Sequence, residues 1–553
     1  MTKVKLSVVI PTRNRRELIA RTLPTILNQN LTCGEYEVVV VSDGSTDGTM
    51  DFLRAIKTSV PLRVLERPHC GIAASQNAGI RESRGDLVMV LDDDILCGPT
   101  LVDRHIAAHQ SDYSCVAFGP RLFSPESRPG LATELQGSWY RDHARRLAVE
   151  GGPRDRFDVW LDSNFSVPRS ILLAHGGYDE GLRYTEDREL GTRLWDSGVR
   201  FKFLPDAPVY EIYLKTTNQL VAIDGCVIGS DEVKLCRKGN GYRGVSIPAA
   251  LLGESRARLM TWWMCCVPPA WLDVMLRLPC SIAERLGANA AMRRLGLRVL
   301  QYRKAIAVMR SAIRETGSWR AFRQEFGMRL PVLRYQRLPP AQSFEAQIRW
   351  LVRRGCVGIT LSQWLRWVTT GQALPHRPVL INFDGGYAEV AQYALPVLRR
   401  HNFAAVVHLP TGLIGEQSKW ERASGLVPQP LMTADQIKYW ASEGIEFGSL
   451  GRSYRRLTEL EGEALAEETE GSADDMAQLL GHRPISFSYP HGASNKAVLE
   501  QVRRSFRMAL GGMPGLNALG TDPHLMHSTT IMPTHTILDL AFAVLSGHSM
   551  LAS

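Results

Sequence analysis

Three consecutive carboxylates, Asp92-Asp93-Asp94, close the apolar run Leu87–Leu91. Like charges a few ångströms apart drive one another toward protonation unless a cation shares their space. Hard carboxylate oxygens on a short loop suit Mg²⁺ or Mn²⁺, which keep several waters and share the phosphate oxygens of a substrate. A solvated acidic turn is the plainer reading, but two more polar tips follow apolar runs upstream. Pro11-Thr12-Arg13-Asn14 follows Leu6–Ile10, and Ser42-Asp43-Gly44-Ser45 follows Glu37–Val41. Farther on, Glu186-Asp187-Arg188-Glu189 opens a helical stretch. Its dipole alone favours carboxylates there.

These tips need a scaffold that brings strand ends together. From residue 6 to roughly 215, short β-branched runs alternate with helix-like stretches: LSVVIP, EVVVVSDGS, PLRVLERP and DLVMVLDDD as strands, RELIARTLPTILNQ and TMDFLRAIKTS as helices. Near-continuous apolar strands separated by helices predict a parallel sheet covered on both faces. Ligands then sit beyond the carboxyl ends of the strands, where the polar tips lie. Residues 216–327 read as a helical linker. Within it Leu295, Val299, Tyr302, Ile306, Met309 and Ile313 recur at helical spacing, with Arg293, Arg294, Arg298, Arg303, Lys304, Arg310 and Arg314 on the other faces. From 328 to 553 a second α/β pattern runs through LPVLRY, VGITL, RPVLINFDGG, FAAVVHLP, IEFGS and ISFSYPHG.

The composition fits this layout. With 553 residues, 44% hydrophobic and 22% charged, the chain is an ordinary multi-domain globular protein, neither fibrous nor disordered. A net charge of +9 favours anionic partners such as sugar nucleotides or phospholipid headgroups. No RNA-binding or zinc-finger signature accompanies it, so nucleic acid is not expected. The ten cysteines include Cys265-Cys266 but no C-x-x-C pair, which reads as free thiols in a reducing compartment. Pro11 cuts the first apolar run too soon for a signal peptide, so the run is expected to be the first strand of a cytoplasmic protein. The stretch 259–272 is broken by Pro268 and Pro269 and too short to span a bilayer. The arginine-rich helices after it suggest either packing on a neighbouring domain or peripheral contact with an anionic membrane surface.

Residues 6–215 resemble the family 2 glycosyltransferases, which are inverting, nucleotide-sugar-dependent enzymes with a Rossmann-like domain. The resemblance rests on VVIPTRNR, VVVVSDGSTDGT, GIAASQNAGI, LVMVLDDD, SNFSVPRS, GGYDEGL and EDRELGTRLWDSG in this order. It implies that Pro11, Thr12 and Asn14 lie at the nucleotide and that Asp43 accepts from the base. It places Asp92 and Asp93 at the ribose and pyrophosphate, Asp94 on the Mg²⁺ or Mn²⁺, and Asp187 as the general base. Family members often carry a His near the end of the domain, and here Glu211 stands in its place. Asp92 and Glu211 are thus further candidate metal ligands, Glu211 being equally readable as a surface carboxylate.

Residues 328–553 resemble the polysaccharide deacetylases, a distorted (β/α) barrel in which one Asp and two His hold a divalent cation beside an Asp general base. Of the usual T-F-D-D-G run this chain has Asn382-Phe383-Asp384-Gly385-Gly386, which keeps the base position but puts Gly385 at the metal-binding Asp. The paired histidines, one helical turn apart in the family, correspond to Leu450 and Tyr454. Gly and Leu cannot ligate a cation and a neutral phenol does so poorly, so deacetylation is not expected. His408, His491, His524 and His527 read as structural histidines.

The expectation is a metal-dependent inverting transferase that moves a sugar, first guess N-acetylglucosamine, from a UDP-sugar to a hydroxyl of a glycan or small molecule. The degenerate barrel would then be structural or acceptor-binding. Its rivals are a bifunctional transferase–deacetylase and a non-enzymatic carbohydrate-binding scaffold. The intact Asp92-Asp93-Asp94 and Asp187 argue against the second.

Overall fold

The computed structural model describes residues 3–31, 34–154, 158–238, 269–285, 290–423, 425 and 427–548. The apolar stretch 259–268, with Cys265 and Cys266, lies outside them. The described chain divides into two compact units. One is built from residues up to Lys234 with Pro269–Glu315, the other from 235–238 with the residues from Thr316 onward.

The first unit contains ten strands: β1 (Leu6–Thr12), β2 (Tyr36–Asp43), β3 (Leu62–Arg67), β4 (Leu87–Val90), β5 (Ile95–Cys97), β6 (Cys115–Phe118), β7 (Arg121–Phe123), β8 (Phe165–Pro168), β9 (Arg200–Phe203) and β10 (Val209–Glu211). Seven form a sheet in the order β3-β2-β1-β4-β8-β6-β9, and β5-β10-β7 form a small second sheet. β1 and β2 are buried along their whole length, as their unbroken apolar runs require between two helical layers. Helix Ile72–Glu82 comes so close that a Cβ on Gly79 would meet Val9 Cγ1 at 2.3 Å. The same helix presents Asn77, which clamps both backbone groups of Tyr178 at 2.8 and 2.9 Å.

The all-parallel expectation holds for β3-β2-β1-β4 and fails at β8, which runs antiparallel to both β4 and β6. The reversal has a consequence at the site. Val90 pairs with Phe165, so the chain entering β8 arrives at the end of the sheet where β4 releases its aspartates. A parallel strand would deliver its exit there instead.

Helices Pro269–Arg285 and Ala290–Glu315 belong to this unit. The second differs from the expected pattern: Leu295 and Tyr302 are each 50% exposed. Its buried line keeps the expected Ile306 and Met309 and adds Gly296, Leu300, Arg303 and Val308. Close packing decides this, since a Cβ on Gly296 would lie 2.5 Å from Ala283 Cβ and 2.9 Å from Leu131 Cδ1. Arg303, expected on a polar face, is buried and donates to Asn218 Oδ1.

The second unit holds β11 (Leu330–Tyr335), β12 (Val357–Gly358), β13 (Pro378–Asp384), β14 (Val406–Leu409), β15 (Glu446–Ser449), β16 (Ser486–Ser488), β17 (Met508–Leu510), β18 (Leu516–Asn517) and β19 (Thr529–Thr530). The order β17-β16-β15-β14-β13-β11 is parallel throughout. Met526 bridges to Leu510 while β19 pairs with β11, so one short segment curls the sheet toward closure. The expected strand VGITL shrinks to two residues because Thr360 caps helix Leu361–Thr370 in a capping box with Gln363.

Candidate active site

The exits of β1, β2 and β4 converge, and hydrogen bonds fasten them. Pro11 pairs with Val41 inside the sheet, and Thr12 Oγ1 donates to Asp93 Oδ2 at 2.7 Å. Asn14 takes a left-handed conformation, φ 52°, and its Oδ1 accepts the Thr46 N–H at 2.7 Å, tying the first loop to the second. Asp43 turns toward residues 69–71, accepting the N–H groups of Cys70 at 2.7 Å and Gly71 at 3.1 Å and meeting His69 Nδ1 at 2.7 Å. Burial pushes its carboxyl up, but these bonds outweigh burial and hold it below the ordinary carboxylate range.

The acid cluster already contains cations. Arg15 Nη1 lies 2.7 Å from Asp93 Oδ1 and 2.8 Å from Asp94 Oδ2. Arg121, at the start of β7, is more deeply buried. It pairs with Asp162, reaches Glu211 Oε2 at 2.8 Å and Asp92 Oδ2 at 3.5 Å, and lies 5.3 Å from the Tyr140 ring centre. Tyr140 in turn donates to Asp162 Oδ2 at 2.6 Å. Desolvation still wins at several carboxyls. It raises Asp92 to about 7 and Glu211 to about 7 against the pull of Arg121, and Asp93 to about 6 against Arg15. A quarter of the Asp92 side chain remains open to solvent.

Asp187 is half-buried in the first turn of helix Glu186–Asp196, with Oδ1 accepting the Arg188 N–H at 2.6 Å. Burial and then the field of Asp162 raise it to about 7, with Asp92 adding to the effect; the Arg188 N–H and Arg121 counteract them. That value suits a group that must hold and release a proton near neutrality. Nearby polar atoms lack hydrogen-bond partners among the described residues: Glu186 Oε2, Thr185 Oγ1, Tyr178 OH and, at the cluster, Asp94 Oδ1. Buried polar groups are rarely left so.

Sequence reasoning missed Arg15, Arg121, Tyr140 and Asp162. Arg15 had a signal, a guanidinium one residue past a polar tip that faces three acids. Asp162 had none, because it reaches the site only through the reversed direction of β8. Its position is fixed by Ser163, whose φ of 54° and whose Oγ bond to the Asp92 N–H join the two loops. Asn164 continues the anchor, donating to the carbonyls of Pro120 and Ala207.

Among the described residues no three His, Cys, Asp or Glu side chains are placed to hold a metal ion alone. The donor set still fits a magnesium-like ion that takes one or two carboxylates and completes its shell with water and phosphate. Asp94 Oδ1 is buried and unpartnered, whereas Glu211 Oε2 is already engaged by Arg121.

In the second unit Asp384 ends β13, accepting from Asn382 at 2.8 Å and Ser488 at 3.1 Å, with Arg334 Nη1 4.0 Å away. Gly385 follows at φ 106°, and a Cβ there would meet the Tyr387 ring at 2.6 Å. Leu450 is buried and bonded to Leu409. Residues 450–454 leave β15 as an irregular loop rather than a helical turn, and Tyr454, φ 61°, stacks on Trp420 at 4.4 Å. His408 is buried between Asn382 and Ser486, and burial lowers it to about 4, a neutral structural imidazole.

Residues 7–155 match the family model for glycosyl transferase family 2, and residues 371–506 match that for polysaccharide deacetylase. The chain carries a family 2 glycosyltransferase domain and a polysaccharide deacetylase domain. The glycosyltransferase YfnE of Bacillus subtilis (strain 168), named as uncharacterized, is 27% identical over 298 residues, covering 45% of this chain and 74% of that protein. Validoxylamine A glucosyltransferase of Streptomyces hygroscopicus subsp. jinggangensis (strain 5008) is 33% identical over 221 residues, 35% of this chain and 52% of that one. The chain thus spans only about half of that relative. A Streptococcus pyogenes deacetylase, PplD in complex with acetate, is 17% identical with a TM-score of 0.34, covering 39% of this chain and 97% of that structure. The transferase domain thus has relatives that are transferases, and the two domains occupy the two compact units separately.

Proposed function

We propose that the glycosyltransferase domain moves a sugar from a UDP-sugar, N-acetylglucosamine being the first candidate, to a hydroxyl of a glycan or small-molecule acceptor, with inversion. The observation that carries this reading is Asp187: half-buried and raised to about 7, it shares its electrostatic field with Asp92 and Asp162. Asp187 takes the acceptor hydroxyl proton as the oxygen attacks the anomeric carbon from the face opposite the leaving diphosphate. Asp94 would hold Mg²⁺ or Mn²⁺, which when bound offsets the charge gathering on the diphosphate. Arg15 orients Asp93 and Asp94, while Thr12 fixes the second oxygen of Asp93. Arg121 holds Asp92, Asp162 and Glu211 in one arrangement, which makes Glu211 its counter-ion rather than a metal ligand. The barrel does not hydrolyse acetamides. Gly385, Leu450 and Tyr454 offer no ligand set, and Asp384 is a structural or acceptor-contacting group.

The test is UDP release from a panel of UDP-sugars, with and without Mn²⁺, with a cell extract as the acceptor pool. Wild-type protein releases UDP and forms a glycosylated product. Asp187→Asn lowers turnover by about 10²–10⁴-fold with donor affinity retained. Unchanged turnover in that variant would remove Asp187 from its role.

A further inference from the structure

We infer that helix Pro269–Arg285, with the neighbouring arginines of Ala290–Glu315, is a docking face for the surface of an anionic phospholipid bilayer. This helix is apolar on two sides. Leu272, Cys280 and Ala283 are buried against the first unit, where Cys280 and Ala283 approach Gly296. The other side should be polar in a helix that merely packs on its own domain. Instead Trp271 is 70% exposed, Val274 65%, Met275 59% and Leu278 62%, and Ile282 continues the same stripe. At 100° per residue these five fall within one third of the helix circumference. On the next helix Leu295 and Tyr302 are half exposed one heptad apart. Single exposed apolar residues need no explanation, but a row of this length marks an interaction surface.

Charge selects the occupant. Between residues 269 and 300 the chain has five arginines, at 277, 285, 293, 294 and 298, against two acids, Asp273 and Glu284, and of the five Arg293 is paired with Glu134. Glu284 accepts a hydrogen bond from Thr217 Oγ1. Arg294 and Arg298 are exposed one turn apart, beside Leu295. An apolar stripe led by an exposed Trp and flanked by arginine is the make-up of helices that lie in the headgroup layer, where the apolar face enters the acyl boundary and arginines meet phosphate. Among the described residues no helix is long and apolar enough to cross a membrane.

The experiment is flotation of the full chain with phosphatidylcholine vesicles and with mixed phosphatidylcholine–phosphatidylglycerol vesicles. The protein is expected to float with the anionic vesicles and stay behind with the neutral ones, and added NaCl should release it. Leu278→Asp should weaken binding about tenfold or more, and Arg294→Gln and Arg298→Gln about fivefold each, while UDP release in solution is unchanged. Retained UDP release shows that the variants fold. Three outcomes overturn the inference. These are no flotation with either vesicle, flotation indifferent to Leu278→Asp, and a wild-type dimer that Leu278→Asp converts to monomer, which assigns the stripe to a second copy.

Discussion

At the scale of single residues, the chemistry depends on how burial and neighbouring charges tune a few carboxyls. Asp187 is raised to about 7 because burial and Asp162 outweigh the Arg188 N–H and Arg121. A base must be deprotonated to act, so turnover should rise as pH increases through about 7 and level off above it. Asp187→Asn should flatten that limb as well as lower the rate. The sign for stability is opposite. A carboxyl whose pKa is raised by folding binds protons more tightly in the folded state, so its contribution is greatest below about pH 4 and is lost as pH rises through about 7. Asp94 is a different kind of residue, with one oxygen on Arg15 and one buried without a partner. Asp94→Ala should abolish the part of UDP-sugar affinity that depends on Mn²⁺, measured by calorimetric titration with and without the ion. An unchanged Mn²⁺ dependence would take Asp94 out of the metal shell.

At the scale of elements, the site is assembled by strand ends and by one antiparallel strand. β1, β2 and β4 deliver Thr12, Asp43 and Asp92–Asp94 as parallel neighbours do, and β8 delivers Asp162 because it runs the other way. Arg121 joins the two small-sheet strands β7 and β10 to these loops through Asp92, Asp162 and Glu211. Its removal strands carboxylates in a low-dielectric cluster, which costs more than the ion pairs themselves contribute. Arg121→Gln should therefore destabilise the protein by about 3 kcal/mol, read as a drop in unfolding midpoint. It should also push the acidic limb of the pH–rate profile upward, since Asp187 loses a cation that lowers it. A variant melting like wild type would show that the arginine is not needed to neutralise the cluster.

At the scale of the whole molecule, two α/β units share one chain, and the proposal that the barrel is catalytically silent rests on how three positions are packed. Gly385 occupies a left-handed conformation that an L side chain resists, and Tyr387 fills the space a Cβ would need. Leu450 is part of the core, and Tyr454 is stacked on Trp420 in a loop held at positive φ. Full-length protein incubated with Zn²⁺ and an N-acetylated oligosaccharide should release no acetate, and Gly385→Asp should lower stability without creating that activity. Acetate release by either protein would overturn the reading of the barrel.

Local pattern alone determined much of this protein. The alternation of apolar strands and helices and the polar tips at strand ends are short-range features. A continuous apolar run or a turn can be read without knowing what lies across the fold. What only the tertiary structure decided is everything that depends on partners distant in the chain. The three aspartates are paired with Arg15, 77 residues before Asp92, and with Arg121 on a separate small sheet. Likewise Asp162 joins the site through the direction of β8, and Gly296 sets which face of its helix is buried. Charge compensation and close packing act through space, so apart from the position of Arg15 beside a polar tip, sequence spacing does not reveal them.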